Sequence, residues 1–335
     1  MHDPPKLSEA EIVAALREHY GIAVRELAFL PGGADTASFV YRADDQAGQA
    51  HFVKLRAAER FGPRSLAVPH ELAQRGVPHL LAPRSTLAGA PWAELGAYVL
   101  TVYPLLEARM AADAGLSQAQ WRKLGAAVRQ IHDSPLPPEL RRILPTERFT
   151  PWRRGQLDSL DDAVAQADPA ARELVECWQA RRDEIRALVA RCDELAAEMR
   201  RAELPLALCH ADMHTWNTLV GADGALWLVD WDETMLAPKE RDLMFVIGGI
   251  GRDLVRPHET AAFLAGYGAA AIDARALTYY RYAWAVQDLA AYAEEALLTP
   301  DASPEARRDA AKSFVAQLAK GNIVDIARES DRAGD

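Results

Sequence analysis

His210-Ala-Asp212-Met-His214-Thr-Trp216-Asn217 is followed, one hairpin-like segment later, by Asp230-Trp-Asp232. The residues between run Thr218-Leu-Val220, Gly221-Ala-Asp-Gly224 and Ala225-Leu-Trp-Leu-Val229. They read as two apolar strands around a glycine-flanked turn. A hairpin returns the chain to its starting end, so the pattern predicts Asn217 and Asp230 side by side. Carboxamide and carboxylate oxygens together suit a hard divalent cation.

Other readings of the same residues compete. His210, Asp212 and His214 offer imidazoles and a carboxylate, the donors that zinc takes. That reading leaves Asn217 and Asp230 without a role, and the remaining histidines form no tight cluster in the sequence. Asp212 precedes Asn217 by the interval at which a phosphoryl-transfer loop sets its proton-accepting Asp ahead of a metal-binding Asn. The ordered set therefore points to phosphoryl transfer from a nucleotide.

The chain has 335 residues, more than one hydrophobic core usually serves, so two domains are expected. Half of the residues are hydrophobic and 26% are charged, an ordinary globular balance. A net charge of −10 disfavours nucleic acid as a partner, because neutralising phosphates needs a basic surface. It suits a cationic small substrate instead. Cys177, Cys192 and Cys209 form no C-x-x-C pair and are odd in number, which argues against a disulfide framework and for a reducing cytoplasm. No signal peptide and no membrane partner are expected, since no apolar run approaches bilayer-spanning length. Monomer and homodimer are both compatible with the sequence.

Along the chain, Ser8-Glu-Ala-Glu11 has capping-box spacing and opens a helix carrying Ile12, Leu16 and Tyr20, closed by Gly21. Residues 24–30, 39–41 and 49–55 read as strands. A helix over 66–75 follows, shortened or delayed by Pro69. The β-branched and aromatic run 97–103 is another strand, stopped by Pro104. There the boundary between a sheet-bearing domain (1–104) and a helical one (105–335) is expected. Ser117 opens a helix with Trp121, Leu124, Val128 and Ile131 at core spacing. Residues 170–203 carry the longest helical pattern. Further helices are expected over 253–267, 273–298 and 304–326, with a frayed tail from Arg328.

Gly32, Gly33 and Ser38 lie between the first two strands, where a loop can lay N–H groups over nucleotide phosphates, although a Gly-Gly turn is often only a turn. Lys54 gives that segment weight. Phe52-Val53-Lys54 is similar to the strand whose lysine pairs the α- and β-phosphates in kinases. Its partner carboxylate belongs on the next helix, where Glu71 fits and Glu59 is the rival. Residues 100–105 are placed to hold an adenine ring through backbone groups, with Thr101 and Tyr103 as the candidate positions. His210 reads as a structural, hydrogen-bonded histidine. His214 and Trp216 are placed either to touch the acceptor or to pack. Asp232 reads as a cap or as a contact to a second metal, and Asp242 as a cap or a brace for the loop. Tyr279 to Trp284, with Asp288, Glu294 and Glu295, offer aromatic faces and carboxylates for a cation.

Leu208-Cys-His210-Ala-Asp212-Met-His214-Thr-Trp-Asn217-Thr-Leu-Val220, Asp230-Trp-Asp-Glu233 and Met235-Leu-Ala-Pro-Lys-Glu-Arg-Asp-Leu-Met-Phe245 together carry a resemblance. On these segments the chain resembles the aminoglycoside phosphotransferase family, small-molecule kinases with a protein-kinase-like fold, and within it the spectinomycin phosphotransferases. Arg281-Tyr282 and Asp288 extend the likeness over nearly the whole chain. The resemblance implies an α+β bilobal fold, with a small antiparallel-sheet lobe and a larger helical one. It implies ATP and Mg²⁺ as cofactors, GTP as donor leaving no separate signature. Asp212 is implied as catalytic base, Asn217 and Asp230 as magnesium ligands, and Lys54 as phosphate anchor. The implied activity is O-phosphorylation of an aminocyclitol antibiotic such as spectinomycin, as in antibiotic resistance. The chain departs from the family in its glycine loop, which is not a full G-x-G-x-x-G, and around Glu71, which sits in no family pattern. Alternatives are a metabolic kinase for choline, an amino alcohol or a sugar, and a non-catalytic nucleotide-binding scaffold. The complete set Lys54, Asp212, Asn217 and Asp230 disfavours the scaffold.

Overall fold

The computed structural model describes residues 5, 7–31, 38–151 and 153–332. The chain forms two compact units, one of Met1–Leu144 with Thr215–Thr234 and one of Pro145–His214 with Met235–Asp335. In the first unit, α1 (Glu9–Tyr20) starts at the expected capping box. The Ser8 hydroxyl accepts from the Glu11 N–H, and the Glu11 carboxylate accepts from the Ser8 N–H. Gly21 closes the helix at a φ of 66°, a left-handed turn that costs glycine nothing.

β1 (Val24–Phe29), β2 (Ser38–Asp45), β3 (Ala50–Ala57), β4 (Ala93–Leu95) and β5 (Tyr98–Pro104) make an antiparallel sheet in the order β1-β2-β3-β5-β4. Successive side chains of a strand point to opposite faces. Val53, Leu55, Leu100 and Val102 therefore share one face, where they pack with Ile12, Leu16 and Tyr20 of α1. Phe52, Lys54, Arg56, Thr101 and Tyr103 are left on the other. The register sets Lys54 opposite Thr101 and Phe52 opposite Tyr103. The buried Tyr20 hydroxyl donates to the Leu100 carbonyl at 2.9 Å, a polar tie between helix and sheet.

α2 (Arg64–Gln74) begins ahead of Pro69, so the expected late start does not occur. Its first turn forms on the Gly62 and Pro63 carbonyls, and the proline removes only one interior donor. The later strands are short: β6 (Ala108–Met110), β7 (Ala207–Cys209), β8 (Thr218–Gly221), β9 (Leu226–Leu228) and β10 (Met235–Ala237). β6, β8 and β9 form a sheet in the first unit, and β7 pairs with β10 in the second. The division between units thus departs from the boundary expected at Pro104. Pairing of β6 with β8 draws the hairpin into the first unit, which also holds α3 (Ala111–Ala114), α4 (Gln118–Asp133) and α5 (Pro138–Ile143).

The second unit is mainly helical: α6 (Leu160–Ala165), α7 (Arg172–Arg201), α8 (Glu240–Leu243), α9 (Pro257–Tyr267), α10 (Ala274–Ala293), α11 (Pro304–Gln317) and α12 (Ile323–Arg332). α10, capped by the Asp273 carboxylate, packs against α7, α11 and α12. α9 starts only at Pro257, which suits a first helical turn. The helix expected over 304–326 is broken before Gly321, which sits at a φ of 81°. The tail expected to fray is helical through Arg332, because α12 buries Ile323, Val324 and Ala327 and pairs Asp331 with Arg191 at 2.8 Å. Among the described residues no helix is long and apolar enough to cross a membrane.

The packing of α1 on the sheet makes a stability prediction. Leu16→Ala should cost about 2–5 kcal/mol, and Tyr20→Phe, which strips the Leu100 carbonyl of a buried donor, about 1 kcal/mol. Urea unfolding measures both, and an L16A protein as stable as wild type would mean that α1 does not brace the sheet.

Candidate active site

In the first unit the polar face of β3 and β5 lines a cavity of about 560 Å³ together with Asp230, Trp231 and Asp232. That volume is in the range of small-molecule sites. Lys54, Arg56, Thr101 and Tyr103 line it from the sheet, and Ser65 from α2. The Thr101 hydroxyl donates to the Lys54 carbonyl at 3.2 Å, and the Phe52 and Tyr103 rings meet edge-on at 6.3 Å. Lys54, Thr101 and Tyr103, singled out separately in the sequence, thus share one cavity. Ser38 is buried at the start of β2 and accepts from Arg56 Nε at 3.5 Å. Gly32 and Gly33 lie outside the described residues.

Glu71 does not take the expected place. Its carboxylate pairs with Arg75 Nε one turn further along α2, at 2.6 Å, and it is not part of the cavity wall. The i,i+4 spacing supplies a cation on its own helix. The carboxylates that reach the cavity are Asp230 and Asp232, and Asp232 is the one that Arg56 holds. The Arg56 guanidinium donates to both of its oxygens, at 3.2 and 3.1 Å, and Arg64 donates twice to its backbone carbonyl, at 2.9 and 2.7 Å. Burial alone would raise the Asp232 carboxyl. Hydrogen bonding and charge from Arg56, with smaller help from Ser65 and Lys54, outweigh it and hold the group below its ordinary value. Arg56 and Arg64 escaped the sequence reading because surface arginines are unremarkable. The available signal was the two-residue spacing of Phe52, Lys54 and Arg56, which gives them one face of a strand.

The hairpin forms as expected. Thr218 lies opposite Leu228, and the Val229 N–H donates to the Asn217 carbonyl at 2.9 Å. The backbone thereby brings Asn217 and Asp230 to the same end of the hairpin. Asn217 is buried at the end of the 3₁₀ turn Thr215–Asn217, and Asp230 is exposed. Asp230 has a φ of 63°, a conformation uncommon for any residue but glycine and best tolerated by Asn and Asp. Trp231 is buried and donates its indole N–H to the Leu228 carbonyl at 3.4 Å. The oxygen donors of Asn217 and Asp230 are of the hard type that Mg²⁺ takes.

In the second unit Asp212 follows β7. Asp242 accepts the His210 N–H at 2.9 Å and the Ala211 N–H at 2.6 Å, which makes it a loop brace. The brace matters because Ala211 is held at a φ of 69°, strained for an alanine. His210 is fully buried, and its Nδ1 accepts the Asp212 N–H at 3.3 Å. Among the described residues His210, Asp212 and His214 do not converge as a metal ligand set. His214 Nε2 instead lies 3.3 Å from Asp212 Oδ1.

Around this loop the His214 and Phe245 rings meet edge-on at 6.0 Å, and Phe245 meets Trp284 at 4.9 Å. The Arg241 guanidinium lies 5.3 Å from the Trp284 ring and 5.8 Å from that of Tyr280. Asp288 stands one turn beyond Trp284 on α10. Burial pushes its carboxyl up to about 7 and the charge of Asp212 adds to the rise, while Trp284 and Arg241 pull the other way. Trp216 belongs to the first unit and is 42% exposed. Glu294 is committed to Arg153 and Gln156.

No curated protein sequence matches the chain. Among solved structures, spectinomycin phosphotransferase APH(9)-Ia in complex with ADP and spectinomycin is similar at 30% identity, over 98% of this chain and 99% of that one, with a TM-score of 0.86. Its AMP-bound complex is similar at 28% identity over 96% and 98%, with a TM-score of 0.81. Choline kinase LicA from Streptococcus pneumoniae shares the fold at 14% identity over 92% and 99%, with a TM-score of 0.51. The sequence profile of the phosphotransferase enzyme family matches residues 26–284. A match of that extent, on a chain whose sheet and helices reproduce the kinase-like α+β fold, makes this chain a member of the phosphotransferase enzyme family, an enzyme that transfers phosphate to an alcohol group.

Proposed function

We propose that this enzyme transfers the γ-phosphate of ATP to a hydroxyl of a cationic aminocyclitol, with spectinomycin the first acceptor to test. The observation that carries this reading is the 30% identity, over nearly the whole of both chains, to an enzyme solved with ADP and spectinomycin. The chemistry of the cavity supports the nucleotide half. Lys54 and Arg56 give it cations, and the Phe52, Thr101 and Tyr103 wall suits a flat base. Asn217 and Asp230 would hold Mg²⁺, which when bound supplies neutralising charge to the phosphates.

In the reaction the acceptor hydroxyl oxygen bonds to the γ-phosphorus and the bond to the β–γ bridging oxygen breaks, releasing ADP. Asp212 takes the hydroxyl proton. The Asp242 brace holds the backbone just ahead of Asp212, so positioning is settled before the acceptor arrives. Recognition of the acceptor's ammonium falls to Asp288. Arg241 already lies over the rings of Tyr280 and Trp284, which leaves the carboxylate as the stronger attraction for a cation. A metabolic kinase for choline, an amino alcohol or a sugar is the second reading, and likeness to the choline kinase supports it only at the level of the fold.

Four outcomes are expected. In an ATP-consumption screen with Mg²⁺, spectinomycin should be turned over, and turnover of choline or a sugar with no antibiotic accepted would replace the first reading by the second. Asp212→Ala should lower kcat by about a thousandfold while leaving ATP binding nearly intact; a near-normal rate would remove Asp212 from the base role. Asp288 gives a pH signature. Its carboxyl titrates near 7 rather than in the usual carboxylate range, so KM for a cationic acceptor should fall as pH rises from 6 to 8, and Asp288→Asn should flatten that fall. Because the folded-state value is raised, stability is full below the ordinary carboxylate range, falls as pH rises through it, and has reached its full loss above about 7. D288N should therefore gain melting temperature over wild type at pH 8 but not at pH 4.

A further inference from the structure

We infer that Arg56 and Asp232 form an ion pair that aligns the nucleotide end of the site. This deepens the phosphotransferase reading and rests on it. Arg56 lies on β3 two residues beyond Lys54 and on the same face, and both line the cavity that Asp230 and Asp232 close. Its guanidinium meets both oxygens of Asp232, at 3.2 and 3.1 Å. A fork-to-fork pair fixes orientation as well as distance, which a single contact cannot do. Arg64, in the first turn of α2, holds the Asp232 main chain from the other side with two donors on its carbonyl.

Asp232 is thus gripped by side chain from the sheet and by backbone from the helix. Lys54 and Arg56 share one strand, while Asp230 and Asp232 share one segment. The clamp therefore ties the strand that carries Lys54 to the segment that carries Asp230, both of which line the cavity. Asp230 sits at a φ of 63°, which needs surrounding structure to maintain it. α2 offers Glu71 for the same task, but Glu71 is committed to Arg75. Asp232, with both oxygens engaged by Arg56, is a positioning residue and not a second metal ligand.

The test compares full-length wild type with Asp232→Asn, Arg56→Met, Arg56→Lys and the D232N/R56M double variant. ADP with Mg²⁺ is titrated by calorimetry, KM for ATP and for the acceptor is measured separately, and circular dichroism checks folding. D232N and R56M should each weaken ADP binding and raise KM for ATP about tenfold, with acceptor KM changed less than about twofold. The double variant should be no worse than either single one, because each already opens the pair. R56K should stay close to R56M, since an ammonium cannot meet both oxygens. R56K binding like wild type, or losses that add in the double variant, would overturn the clamp. So would D232N raising the Mg²⁺ requirement while R56M leaves it alone, for Asp232 would then be a metal ligand. Wild type that binds no ADP would instead overturn the phosphotransferase reading, so the two failures are distinguishable.

Discussion

Side chains alternate across a β-strand, and in β3 and β5 that alternation carries the first unit. One set of positions, with Val53, Leu55, Leu100 and Val102, seals the core against α1. The interleaved set, with Phe52, Lys54, Arg56, Thr101 and Tyr103, faces the cavity. A one-residue slip would drive Lys54 and Arg56 into the apolar core, and burying each unpaired charge costs several kcal/mol. Register is thus enforced by the same residues that make the site. The core residues contribute little to chemistry directly, yet they determine which way the cations point.

A second constraint recurs in both units. Ala211 and Asp230 each sit at positive φ, where strain costs of order 1–3 kcal/mol. Each is bracketed by a charged group that bonds the neighbouring chain. In the second unit one carboxylate, Asp242, accepts two backbone N–H groups; in the first, the arginines Arg56 and Arg64 hold Asp232. Hydrogen bonds to a charged partner contribute about 1.5–3 kcal/mol each, so two of them are enough to offset one strained residue. The groups nearest the chemistry are held by short-range polar contacts, and the large apolar cores act one step further back.

Much of this was legible in the sequence because it depends on neighbours along the chain. The Ser8 capping box, the hairpin between Asn217 and Asp230, and the spacing of Trp121, Leu124, Val128 and Ile131 are all local patterns, and each forms the element expected of it. Two of the departures involve partners distant in sequence, and one a partner on the same helix. Pro104 looked like a boundary because it ends a strand, but pairing of β6 with β8 carries the first unit to Leu144. The tail after Arg328 looked polar enough to fray, yet the pair of Asp331 with Arg191 comes from a helix far upstream. Glu71 satisfied the spacing rule for a lysine partner, and a cation one turn away on its own helix claimed it.

The sequence by itself determined the chemistry on offer: a carboxylate, a carboxamide and a second carboxylate in a fixed order, with a lysine on an early strand. It did so because those groups are identified by type and by short spacing, which survive any packing. Only the tertiary structure decided which carboxylate meets which cation. Arg56 and Asp232 lie far apart in the chain and carry no mark of each other; their pairing follows from sheet register and from the return of the hairpin. The raised carboxyl of Asp288 is of the same kind, since desolvation belongs to the folded surroundings and not to the residue.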